Sequence, residues 1–159
     1  MEKYQDKGLT GLKNLGNTCF INATLQCLLH TYELKEVLDN TNYKKKLSNT
    51  PDSKIVVEYD DLQKIMWSKN QVISPNKFLY EIQNISKIKN NELFTGYSQN
   101  DAIEFLTFLV ECFHNGLSRK VNITIKGNVE NEKDKLAKLC YERLKTMQET
   151  EYSEIINIF

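Results

Sequence analysis

Apolar residues recur at three- and four-residue spacing through most of this chain, and strict alternation is confined to one short stretch. Leu25, Leu28 and Leu29 predict a first helix over 19–30, and a second short helix is expected from Tyr32 to Asp39. The segment Tyr43 to Ser53 is polar, with Pro51 marking its end, and reads as a loop. Tyr59, Leu62, Ile65 and Met66 fall on one side of a helix over Val56 to Ser68. Ser74-Pro75 is an N-cap followed by a first-turn proline. The helix behind it turns Phe78, Leu79, Ile82, Ile85 and Ile88 toward a core.

The most apolar segment predicts the most buried helix, Gln99 to Asn115. Ser98 is placed to cap it, with Asp101 three residues on in a capping-box arrangement that also suits the helix dipole. Ala102, Phe105, Leu106, Leu109, Val110 and Phe113 make one wide stripe, which Ile103, Phe108 and Cys112 extend nearly all round. Gly116 reads as the stop signal. Val121 to Lys126 alternates and Gly127-Asn128 is a turn signal, so one short strand or hairpin is expected near 121–129. A long charged helix then runs from about Lys133 to Glu149. The expected fold is mainly α, a single domain over residues 1–159.

Composition narrows the function classes. The 21 basic residues balance the 21 acidic ones, which removes a global electrostatic case for nucleic acid or a membrane surface. Lys44 to Lys46 is a short basic run, read as a solvated loop, with a phosphate-binding patch as the alternative. No apolar run reaches the length of a membrane span, and no signal peptide is evident. The four cysteines show no paired close spacing, which fits free thiols in an intracellular compartment, cytoplasm or nucleus. No two cysteines have zinc-knuckle spacing, so no metal and no cofactor is expected.

The chemistry concentrates in Gly8 to Leu28, GLTGLKNLGNTCFINATLQCL. Cys19 follows a turn rich in glycine and asparagine and opens a helix, where the first amides and the partial positive charge stabilise a thiolate. Thr18 is a competent N-cap for that helix. Most cysteines only pack, and the residues alone leave Cys19 either a reactive thiol or a buried one. Taken alone, Asn14 reads first as a turn residue, with a side-chain donor aimed at a ligand as the alternative.

This stretch resembles the cysteine box of the ubiquitin-specific protease family, G-L-x-N-x-G-N-T-C-[FY]-x-N-x-x-L-Q-x-L, whose fixed positions are all met between Gly11 and Leu28. Phe94 to Leu106, FTGYSQNDAIEFL, resembles the family's second box, Q-Q-D-A-x-E-F-L, with Asn100 replacing a glutamine. A weaker likeness covers Ala137 to Phe159, similar to the family's segment before its zinc-binding fingers. The resemblance implies a papain-like cysteine peptidase that hydrolyses the bond after the C-terminal glycine of ubiquitin. It implies Cys19 as nucleophile and Asn14 as oxyanion donor. Gln99, Asp101 and Glu104 would line the groove for ubiquitin's arginine-bearing tail, where a carboxylate pair suits guanidinium groups. Helix capping also accounts for Asp101, and plain surface charge also accounts for Glu104.

A base for the thiol is harder to find. The two histidines are His30 and His114. His30 lies eleven residues beyond Cys19 on the expected helix, a rise of roughly 16 Å. His114 closes the buried helix, where it suits the dipole better than catalysis. Neither resembles the family's histidine box, which lies further along in the family pattern. The implied fragment is the N-terminal helical thumb of the catalytic domain, with the histidine-bearing palm and the fingers supplied elsewhere, for example by a second chain. The alternative is a catalytically incomplete ubiquitin-binding or scaffolding remnant. Ubiquitin or ubiquitinated proteins are the implied partners in both cases.

Overall fold

The computed structural model describes residues 4–159. It is built on helices α1 (Cys19–Leu29), α2 (Tyr32–Asp39), α3 (Ser53–Ser68), α4 (Asn76–Ile88), α5 (Ala102–Leu117) and α6 (Glu132–Gln148). Two two-residue strands, β1 (Gly11–Leu12) and β2 (Val72–Ile73), pair in parallel with Gly11 opposite Val72 and Leu12 opposite Ile73. Among the described residues no helix is long and apolar enough to cross a membrane.

α5 is the axis of the molecule because its apolar residues occupy most of its circumference. Phe105, Leu109, Cys112, Phe113 and Leu117 are buried, with α1 and α3 packed against them and α4 against α3. Leu25, Leu28 and Leu29 of α1 are buried as their spacing predicts. The rings of Phe20 and Phe94 meet Phe105 edge-on at 5.5 and 5.3 Å, an arrangement that suits the ring quadrupoles. This aromatic knot binds the start of α1 to the start of α5.

Several expectations shift. α5 begins at Ala102, and its cap is Asp101 rather than Ser98. Asn100 accounts for the delay: its amide donates to the carbonyls of Leu93 and Ser98 at 2.7 and 3.0 Å, holding residues 98–101 off the helix. Phe108 and Cys112 are buried, whereas Ile103 is 74% exposed, on the open face shared with Thr107 and Glu111. Ile65 and Ile88 are also exposed rather than in the core. α4 starts one residue late, with Pro75 in the cap position.

Gly116 does not stop α5; the helix runs through it to Leu117. A Cβ there would lie 2.6 Å from Val56 Cγ2 and 3.2 Å from the Asp52 carbonyl oxygen. The glycine permits α3 and α5 to touch, a reason invisible to a stop-signal reading.

The strand expected at 121–126 is absent. The parallel pair forms instead from segments whose sequence carries no alternation. Val121 donates to the Glu149 carbonyl and Ile123 to the Glu149 carboxylate, so these N–H groups go to the end of α6 and not to a strand partner. α6 follows behind a capping box between Asn131 and Asp134, and none of its residues is buried. The excursion rejoins the body at a two-bond bridge between Arg119 and Tyr152.

Candidate active site

Cys19 is the first residue of α1, and its side chain is exposed. The chain reaches it through a turn in which Gly16 and Asn17 take left-handed φ angles of 103° and 52°. Glycine tolerates that region without strain, and asparagine better than most residues, which explains both types at these positions.

Asn14 organises the turn from inside. Its Oδ1 accepts from the Gly16 N–H at 3.0 Å, and from the Thr18 N–H and the Thr18 hydroxyl at 3.2 Å each. These bonds fix the carboxamide plane. The Asn14 amide nitrogen has no acceptor among the described residues and is the group left to donate. Thr18 occupies the N-cap position, but its hydroxyl does not cap α1. It is committed to the turn, accepting from Leu15 N–H at 2.9 Å while donating to Asn14. The first turn of α1 therefore has no side-chain cap and no acidic residue, so the helix dipole is unopposed at Cys19.

Gln99, Asp101 and Glu104 are exposed around the start of α5. Asp101 Oδ1 accepts from the N–H groups of Ile103 and Glu104 at 2.7 and 3.0 Å. Its Oδ2 takes no part in the cap. The two sequence boxes lie side by side: Asn17 Nδ2 donates to the Tyr97 carbonyl at 3.1 Å, and Thr24 Oγ1 to the Ala102 carbonyl at 3.3 Å.

Neither histidine joins them. His30 ends α1, and its Nδ1 donates to the Gln26 carbonyl at 2.7 Å while the ring lies 5.5 Å from Trp67. His114 sits in the last turn of α5, with Nδ1 2.8 Å from Ser153 Oγ. Among the described residues no cluster of three or more His, Cys, Asp or Glu could hold a metal ion. A cavity of about 640 Å³ opens between α3 and the start of α4, lined by Leu62, Ile65, Ile73 and Phe78, and none of the five candidate residues borders it. The candidate residues instead share an open surface.

Three residues to which the sequence assigned no role hold this surface together. Asn22 Nδ2 donates to the carbonyls of Leu12 and Lys13, at 3.3 and 3.1 Å. Gln26 Nε2 donates to the Thr10 carbonyl at 2.9 Å. Thr10, 2% exposed, donates its hydroxyl between the Met66 and Lys69 carbonyls at the end of α3, 2.9 Å from each. The one available signal was a pair of amides four residues apart on a helix otherwise rich in apolar side chains.

Comparison with known proteins places these observations in a family. Residues 10–159 match the family model described as ubiquitin carboxyl-terminal hydrolase. The chain is 39% identical over 135 residues to ubiquitin carboxyl-terminal hydrolase 2 of Homo sapiens, an alignment covering 82% of this chain and 21% of that protein. It is 32% identical over 166 residues to the putative ubiquitin carboxyl-terminal hydrolase 11 of Arabidopsis thaliana, covering 99% of this chain and 18% of that one. The structure of the SAGA Ubp8/Sgf11/Sus1/Sgf73 DUB module bound to ubiquitin aldehyde aligns with a TM-score of 0.54 and 28% identity, over 71% of this chain and 25% of that chain. The chain thus spans about a fifth of the length of the curated relatives it matches.

Proposed function

The chain belongs to the ubiquitin carboxyl-terminal hydrolase family, and from that premise we propose that it is the thumb portion of a thiol-dependent deubiquitinase. The observation that carries this reading is the turn at Cys19. An exposed thiol opens α1, and Asn14, its amide oxygen occupied by the turn, has an amide nitrogen left to donate.

In the proposed reaction the Cys19 thiolate attacks the carbonyl carbon of ubiquitin's terminal glycine. The negative charge that gathers on the carbonyl oxygen is met by Asn14 Nδ2, a donor fixed in advance, which is where such donors act most strongly. Collapse of the tetrahedral intermediate breaks the bond to the leaving amine, which takes a proton from an imidazolium. A thioester then links Cys19 to ubiquitin, and water hydrolyses it, restoring the thiol. The imidazole is assigned to a palm outside these 159 residues, because His30 and His114 are engaged elsewhere. Gln99, Asp101 and Glu104 receive the basic tail: Asp101 Oδ2 and the Glu104 carboxylate are exposed and suit guanidinium groups. Ubiquitin or ubiquitinated proteins are the proposed partners.

Ubiquitin carrying a C-terminal electrophile tests this reading. Intact-mass and peptide analysis should find one ubiquitin joined to Cys19. An adduct at Cys27 or Cys140, or none, would overturn the assignment. The second reading, a ubiquitin-binding scaffold without turnover, draws on the absence of a nearby imidazole among the described residues. It predicts ubiquitin binding unaffected by Cys19→Ala and no turnover with any added palm.

A further inference from the structure

We infer that Asn22 and Gln26 are positioning residues, which set the cysteine turn through a ladder of side-chain bonds between α1 and the segment before it. The inference rests on the reading of Cys19 and Asn14 given above.

The ladder has three rungs. Gln26 Nε2 bonds the Thr10 carbonyl, Asn22 Nδ2 is shared between the Leu12 carbonyl and the slightly nearer Lys13 carbonyl, and Thr18 bonds the Asn14 side chain. Each step of four residues down the helix matches a step of two residues up the segment. The pitch explains the register: four residues of helix rise about 6.0 Å, and two residues of strand about 6.6 Å. The strand side is equally regular. β1 turns the N–H groups of Gly11 and Lys13 to β2, where they donate to Gln71 and Ile73 at 2.8 and 2.9 Å. Alternate carbonyls of an extended segment face the other way, so Thr10 and Leu12 offer theirs to α1. Their partners have to be side chains, because the helix's own N–H groups are committed. Asparagine and glutamine are the side chains that reach with a neutral N–H donor.

The ladder ends on the reacting groups. Cys19 lies three residues before Asn22 and seven before Gln26, on the same helix stripe. The last rung is Asn14 itself. At its far end the ladder is anchored by Thr10 on the carbonyls that close α3, and by Gly8, whose missing side chain leaves room for the Trp67 ring 3.0 Å from its would-be Cβ. A slip of one register step would move Asn14 relative to Cys19 while leaving the apolar core of α1 in place.

The test uses the full chain with Gln26→Met, Gln26→Glu and Asn22→Leu, and Ile55→Val as a core variant remote from the ladder. Amide exchange of Gly16 and Thr18, the two N–H groups that donate to Asn14 Oδ1, is read by NMR. Removing the donor from these partly buried carbonyls loosens the turn and is expected to speed their exchange about tenfold or more, while α5 amides keep their protection. Gln26→Glu supplies a rescue that a merely structural role would not show. Its carboxyl is ionised at neutral pH and repelled by the Thr10 carbonyl. Below about pH 4 it is protonated and donates in place of the amide. Protection of Gly16 and Thr18 should return in that variant on acidification, and not in Gln26→Met.

A second arm measures the rate of Cys19 adduct formation with electrophilic ubiquitin. A fall of about tenfold in Gln26→Met and Asn22→Leu, absent in Ile55→Val, supports the positioning role. Unchanged exchange at Gly16 and Thr18, or equal acceleration in Ile55→Val, overturns it. Faster exchange with an unchanged adduct rate overturns it as well. If unaltered chain forms no adduct while the exchange pattern holds, the ladder stands and the deubiquitinase reading falls.

Discussion

Asn17 and Tyr97 stand eighty residues apart in the chain, yet the Asn17 side-chain amide donates to the Tyr97 carbonyl at 3.1 Å. That bond joins the cysteine turn to the loop entering α5, and Asn17 makes it from a left-handed backbone, φ 52°. Two properties of one residue are therefore separable. Asn17→Gly keeps the backbone and loses the bond; Asn17→Ala loses both. Asn17→Gly should cost about 1 kcal/mol in urea denaturation and Asn17→Ala about 1–2 kcal/mol more. Equal stability of the two variants would show that the left-handed turn is not held in solution.

Gly116 makes a sharper packing prediction. A methyl group at 2.6 Å from Val56 Cγ2 cannot be accommodated without moving α3 from α5. Gly116→Ala should destabilise the chain by about 1–3 kcal/mol in urea titrations. Adding Val56→Ala should recover only part of this, because the Asp52 backbone also crowds the position. A fully neutral Gly116→Ala would mean that the two helices sit further apart than described.

The four cysteines should separate on alkylation. Cys112 is buried, and burial together with its hydrogen bond to Asp52 pushes its thiol well above the ordinary range. Cys19, Cys27 and Cys140 are exposed. Peptide mapping after brief iodoacetamide treatment at neutral pH should find Cys19 modified first and Cys112 last. Early modification of Cys112 would indicate that α5 is not packed, and faster reaction at Cys27 or Cys140 would remove the distinction assigned to Cys19.

How much of this was legible in the sequence differs by feature. Helix positions and the core stripe of α1 follow from spacing, because burial of an amphipathic face dominates local structure. Cys19, Asn14 and the second box were located by pattern. The β1–β2 pair was not, since two-residue strands leave no alternation to detect, and the alternating 121–126 segment gives its Val121 and Ile123 N–H groups to Glu149 instead of a strand partner. Gly116 and Asn100 misled for a shared reason. Glycine reads as a stop and asparagine only as a replacement for a glutamine, whereas one serves a helix crossing and the other a loop closure. Asn22 and Gln26 were visible only as motif letters, because their partners lie on a segment whose register no local pattern sets.

The end of the chain should respond to acid. Arg119 donates from its two terminal guanidinium nitrogens to Glu154 at 2.7 and 2.8 Å, and Lys46 adds a third bond at 2.7 Å. The Arg119 bonds hold the Glu154 carboxyl down to about 2, from 4.5 ordinarily. A depressed carboxyl contributes stability that is complete above its unfolded value and is lost as pH falls through the folded one. Urea midpoints should therefore decline between about pH 4.5 and 2, and Glu154→Gln should be less stable at neutral pH and flatter across that window. An identical acid profile in the variant would show that the Arg119–Glu154 clasp does not form in solution.

The central claim is that Cys19 is the nucleophile of a deubiquitinase whose base lies outside these residues. Its most direct measurement is turnover of ubiquitin bearing a fluorogenic C-terminal leaving group, by the chain alone and with a histidine-bearing palm segment of the family, fused or in trans. Loss of one member of a catalytic unit costs on the order of 10⁴ to 10⁶ in rate. The chain alone should be nearly silent, the completed protein active, and Cys19→Ala in the completed protein silent again. Full turnover by the 159 residues alone, or persistent turnover in the completed Cys19→Ala variant, would contradict the account.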